Sequence, residues 1–103
     1  MAAVTLPFDP GTATTSVSVT TNLQELVIPG GARGVSIRGT RDLWYEGANT
    51  SSVDGDAPGA GKVPLDADIW YEFDIGQGSK GESVKVAAQT GTATVYVIVE
   101  AGS

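Results

Sequence analysis

Along most of this chain apolar side chains recur at every second position. Val17 and Val19 alternate with Ser16, Ser18 and Thr20, and Val35 and Ile37 alternate with Ser36 and Arg38. Ile69, Tyr71, Phe73 and Ile75 alternate with Trp70, Glu72 and Asp74. Val95, Val97 and Val99 alternate with Thr94, Tyr96, Ile98 and Glu100 in the clearest run, Thr92 to Glu100. A period of two is that of a β-strand with one buried face. Further strands are predicted over Leu23–Ile28, Leu43–Glu46 and Val84–Ala88. Val63-Pro64-Leu65 reads as an edge segment, because Pro64 has no N–H to give to a ladder. No window carries the 3.6-residue period of a helix.

Turn chemistry separates these runs: Pro29-Gly30-Gly31, then Gly39-Thr40-Arg41-Asp42, then Gly76 to Gly81, then Gly91. Residues 47–62 form the longest irregular stretch and are rich in Gly, Ser, Asn and Asp throughout. About eight short strands at such spacing predict an all-β fold, an antiparallel β-sandwich of jelly-roll type. A small up-and-down barrel is the other closed solution. Residues 1–11 read as an extended N-terminal arm, since Pro7 and Pro10 bracket Phe8 and Asp9 and exclude a regular helix. Leu6 and Phe8 are then apolar anchors on either a frayed terminus or an arm that docks on a neighbouring subunit. Residues 12–103 form a single β-sandwich domain.

Two pentads, Leu43-Trp44-Tyr45-Glu46-Gly47 and Ile69-Trp70-Tyr71-Glu72-Phe73, carry both tryptophans. If Leu43 and Tyr45 face the core, Trp44 and Glu46 face outward; by the same alternation Ile69, Tyr71 and Phe73 face in while Trp70 and Glu72 face out. Large outward aromatics mark contact surfaces. The final strand repeats the theme, since Tyr96 and Ile98 are more apolar than a solvated face requires. Trp44, Trp70, Tyr96 and Ile98 are therefore candidates for a subunit interface, the other possibility being a further layer of this chain over them.

The 103 residues allow one domain and a modest core, with a net charge of −6. That charge excludes nucleic-acid binding by phosphate neutralisation. It is also uneven. Residues 1–50 hold Asp9, Glu25, Asp42 and Glu46 against Arg33, Arg38 and Arg41, whereas residues 51–103 hold eight acids against Lys62, Lys80 and Lys85. All three arginines fall between positions 33 and 41, a candidate basic patch for an acidic partner surface. The apolar stretches are too short to cross a membrane as a helix, and the N-terminus lacks the basic and apolar regions of a signal peptide. Absence of cysteine leaves no disulfide and suits synthesis in a reducing cytoplasm.

With no histidine and no cysteine, the options for catalysis shrink to carboxylate pairs or a Ser/Lys arrangement. Glu46 and Glu72 occupy matching pentad positions, and side by side they would resemble a glycosidase pair. A domain this small builds no deep cleft around them, so the chain is expected not to be an enzyme and to need no cofactor. Asp54-Gly55-Asp56 and Asp66-Ala67-Asp68 place alternate carboxylates in turns. Asp54 and Asp56 are the weak calcium candidates, against the simpler role of aspartate bonding its own turn. Outward Trp44, Trp70 and Tyr96 also suit sugar stacking, as in carbohydrate-binding modules.

The order of elements resembles that of small β-sandwich proteins from tailed bacteriophage particles: head decoration (cement) proteins, head-fibre bases and related virion modules. The likeness rests on the Thr/Val-rich opening Thr14-Thr15-Ser16-Val17-Ser18-Val19 and the turn Ile28-Pro29-Gly30-Gly31 before Val35-Ser36-Ile37-Arg38. It continues through Val63-Pro64-Leu65 and Trp70 to Phe73, and ends in Gly91-Thr92-Ala93-Thr94-Val95-Tyr96-Val97-Ile98-Val99-Glu100. The resemblance covers residues 12 to 100 and is one of texture and order. It implies a non-enzymatic structural protein of the virion, made in the host cytoplasm, that binds the capsid surface as a homotrimer and clamps the major capsid protein. Leu6, Phe8, Arg33, Arg38 and Arg41 would then contact the capsid, and Trp44, Trp70, Tyr96 and Ile98 would pack subunits together, with no nucleic acid and no membrane as partner. The alternative is a tail- or fibre-associated or carbohydrate-binding module that recognises a glycan or receptor through its exposed Trp and Tyr.

Overall fold

A computed structural model of the chain describes residues 3–5, 15–28, 32–47, 53–74 and 83–101. Among these the fold is all-β, with nine strands and no helix. The strands are β1 (Val4–Thr5), β2 (Thr15–Val19), β3 (Gln24–Val27), β4 (Ala32–Gly39), β5 (Leu43–Glu46), β6 (Val63–Leu65), β7 (Tyr71–Asp74), β8 (Ser83–Ala88) and β9 (Ala93–Ala101). They form two sheets. The first has the order β1-β3-β8-β5-β6 and the second the order β2-β9-β4-β7. Every pairing is antiparallel except that of the two-residue β1, which lies parallel to β3. The β-sandwich expected from the alternation is the fold observed.

The core lies between the sheets and comes from the predicted inward positions. Val17, Val19, Val35, Ile37, Val95, Val97 and Val99 enter from the second sheet, and Leu26, Leu43, Tyr45, Val84 and Val86 from the first, all buried. Burying each such aliphatic side chain contributes about 1.5–3 kcal/mol before chain entropy is counted. The rings of Tyr45 and Phe73 stack across the gap, with centroids 4.0 Å apart and planes 5° from parallel. That contact joins the two Trp-Tyr pentads from opposite sheets. Gly39 closes β4 because a Cβ there would lie 2.7 Å from the Leu43 side chain. Such overlap forces a neighbour to move.

Two expectations need correcting. Ile69 does not face the core but is 47% exposed, since the strand begins only at Tyr71. The preceding residues are taken by a turn in which Asp68 adopts the left-handed conformation (φ 63°) and donates its N–H to the Gly39 carbonyl at 2.8 Å. The Asp66 N–H is bonded there by the Tyr71 hydroxyl oxygen at 2.9 Å. The second correction concerns Glu46, expected on a solvated face but only 1% exposed. Its covering is described below. The predicted arm also contains β1, where Val4 sits opposite Leu26 and packs on the core of its own chain. Leu6 and Phe8 lie outside the described residues, as does Ile75.

Candidate functional site

The outward faces of the two sheets differ in what lies over them. On the first sheet, Glu25 of β3, Lys85 of β8 and Glu46 of β5 stand in one cross-strand row. Opposite charges at directly paired positions attract. Lys85 is 5% exposed and Glu46 1%, because residues 53–62 pass over them as a strap. The strap is tied down along its length. Gly55 donates its N–H to the Leu23 carbonyl at 2.8 Å, and Leu23 returns one to the Asp56 carbonyl at 2.7 Å. The Asp54 carboxylate accepts the Glu25 N–H at 2.9 Å, and Glu46 Oε2 accepts the Gly59 N–H at 2.7 Å. At its end the Lys62 ammonium sits 5.0 Å from the Trp44 ring centroid, a cation–π contact. Gly55 permits the turn by taking φ 89°, a conformation other residues adopt at a cost.

These contacts involve three of the candidate groups. Asp54 holds the backbone of β3, and Asp56 accepts the Val53 N–H at 3.2 Å, so both carboxylates serve the strap. Among the described residues no group of three or more acidic side chains is placed to hold a metal ion. Glu46 and Glu72 belong to different sheets and face away from one another, so they do not form a carboxylate pair. Trp44 is half-buried on the strap side and does not share a surface with the other outward aromatics.

On the second sheet, cross-strand register aligns Ser16, Tyr96 and Arg38 in one outward row, and Ile98, Ser36 and Glu72 in the next. Trp70, 41% exposed, directly precedes β7, whose first residue Tyr71 pairs with Ile37 of β4. Tyr96 and Ile98 are half-buried. No described segment of the chain crosses this face as the strap crosses the other. Of the four candidate interface residues, Tyr96 and Ile98 therefore share this face, and Trp70 lies at the start of its edge strand.

The arginines are spread out. Arg33 is exposed at the bulge where β4 loses register between Ala32 and Gly34. Arg38 lies five residues on, roughly 17 Å along an extended strand. There it meets Asp68 at 3.5 Å, with both side chains well solvated at 38% and 66% exposure. Arg41 occupies the β4–β5 turn, its guanidinium beside Gly91.

One further feature escaped the sequence pattern. At the end of the second sheet, where β2 and β4 flank the start of β9, there is an open groove of about 330 Å³. Ser18, Thr20, Thr40, Thr92 and Thr94 line it, with Val19 and Ala93. The signal in the sequence was the placing of threonine at strand ends, but nothing in the pattern says that these three ends meet.

Compared with known proteins, the chain gives no significant match to a protein-family model, to a curated protein or to a solved structure.

Proposed function

We propose that this chain is a non-enzymatic structural protein of a phage particle, a decoration module that associates as a trimer and stabilises a capsid surface. The observation that carries the reading is the asymmetry of the sandwich. The first sheet is covered by its own strap, whereas Tyr96 and Ile98 share the outward side of the second sheet with no described segment across them, and Trp70 is exposed at the start of its edge strand. Apolar surface of that kind favours burial against another protein surface. The order of sequence elements from Thr14 to Glu100 agrees with the virion modules it resembles. A non-catalytic role agrees with a chain free of histidine and cysteine whose matched glutamates stand on opposite sheets.

Within this proposal Trp70, Tyr96 and Ile98 pack subunits together, and Trp44 serves the strap. Arg33 and Arg41, both exposed, are left for the capsid, with Leu6 and Phe8 of the N-terminal segment. The test is the solution mass of the 10.5 kDa chain by light scattering. A trimer of about 31 kDa, dispersed by Ile98→Glu without loss of fold, is the expected result for a closed three-fold assembly. Mixed with its particle, the trimer should raise the temperature at which the capsid ruptures. A monomer that neither assembles on the particle nor protects it would sink the proposal, and unchanged particle binding by Arg33→Glu with Arg41→Glu would remove the arginines from it.

A further inference from the structure

We infer that the threonine-lined groove at the end of the second sheet is a binding site for a neutral saccharide. The inference stands apart from the decoration reading and uses a different set of residues. Five hydroxyl-bearing residues line the groove: Ser18, Thr20, Thr40, Thr92 and Thr94. Its volume of about 330 Å³ lies at the lower end of the range of small-molecule sites. Each hydroxyl both donates and accepts, which matches the alternating donors and acceptors of a sugar ring. Val19 and Ala93, both buried, form the floor between the hydroxyl-bearing positions.

Two of the hydroxyls are preset. Thr40 Oγ1 accepts the Thr94 N–H at 3.0 Å, and Thr20 Oγ1 accepts the Asn22 N–H at 3.2 Å. An oxygen held as acceptor by the backbone keeps its own proton to donate, so both are fixed in place with a proton to give. The backbone beneath them is held as well. Thr40 donates its N–H to the Thr94 carbonyl at 3.0 Å, and Ala88 donates to the Thr20 carbonyl at 2.8 Å. Polar groups already rigid before a ligand arrives lose little entropy on binding it.

The absence of charge from the lining sets the ligand class. Among the described residues no acidic or basic side chain lines the groove, and Arg41 belongs to the adjoining turn beside Gly91. A neutral sugar fits this lining, whereas an anionic sugar would have to rely on Arg41 alone.

The experiment is a nitrogen–proton NMR titration of the intact chain with glucose, galactose, mannose, N-acetylglucosamine, their common disaccharides and sialic acid. Saturable shifts centred on residues 18–20, 40 and 92–94 with at least one neutral sugar are expected. Thr92→Val combined with Ser18→Ala should weaken that binding at least tenfold while leaving the melting temperature unchanged, since neither hydroxyl takes part in the bonds that hold the turns. Three outcomes overturn the inference: no saturating shift with any neutral sugar to tens of millimolar, tighter binding of sialic acid than of every neutral sugar, or shifts centred on Trp70 rather than the groove. Particle binding by the same double variant reports separately on the decoration proposal.

Discussion

The two sheets have the same alternation of apolar and polar residues, yet their outward sides differ. On the first, Glu46 and Lys85 are buried; on the second, Glu72 is exposed, and Trp70 just before β7 is 41% exposed. The difference comes not from the strands but from a segment with no periodicity. Residues 53–62 supply the Gly59 N–H to Glu46 and take one from Glu25 by way of Asp54. A strand pattern sorts side chains into two sets. Whether the outer set meets water depends on where irregular chain passes.

The comparison is broken most forcefully at Glu46. Glu46→Ala removes the buried acceptor of the Gly59 N–H. A loss of about 2 kcal/mol is expected in urea unfolding, within the range for a buried hydrogen bond to a charged group. Glu46→Gln, which keeps an oxygen for Gly59, should lose roughly half as much. If Glu46→Ala unfolds at the wild-type urea midpoint, the strap does not stabilise the first sheet.

A smaller effect is expected at Asp54. Asp54→Ala deletes one acceptor for the Glu25 N–H and should cost about 1 kcal/mol. Its signature is local: the Glu25 and Leu23 amides should exchange with solvent faster while those of β9 stay protected. Equal acceleration in both sheets would show that the strap and the second sheet open as one unit. Smaller still is Lys62→Gln, expected to cost about 0.5 kcal/mol through the contact over Trp44, with a change in tryptophan fluorescence.

The second sheet should respond least. Trp70→Ser is expected to shift monomer stability by less than about 0.5 kcal/mol, as for most exposed sites, while acting strongly on self-association. Asp68→Gly should also fall within about 0.5 kcal/mol, because it eases a left-handed backbone and forfeits only a solvated ion pair. Differential scanning calorimetry at low protein concentration checks both. A Trp70→Ser monomer that melts many degrees lower would mean that this face is packed within its own chain.

Much of the fold was legible because the period-two signal is local. Val17, Val19, Val35, Ile37, Val95, Val97 and Val99 all point where the alternation places them, and Pro64 does mark an edge strand. Ile69 was misread because the alternation runs on through a turn that the Asp68 backbone and the Tyr71 hydroxyl impose. Glu46 was misread because its cover comes from residues 13 positions away. The outward pair Tyr96 and Ile98 was half legible: parity gave the direction, but only the strand order separates it from Trp44. The threonine groove was not legible, since Thr20, Thr40 and Thr92 belong to strand ends that become neighbours only once β9 lies between β2 and β4.

That central place of β9 also sets a timetable for the nascent chain. β2 ends at Val19, yet its described partner begins at Ala93, and β4 too lacks one of its two neighbours until then. At roughly 5–20 residues per second the ribosome leaves β2 unpaired for several seconds. The second sheet therefore cannot close piecemeal as each strand emerges. It must await residues 93–101 and form in one late step, with chaperones and proteases as the competitors in the interval.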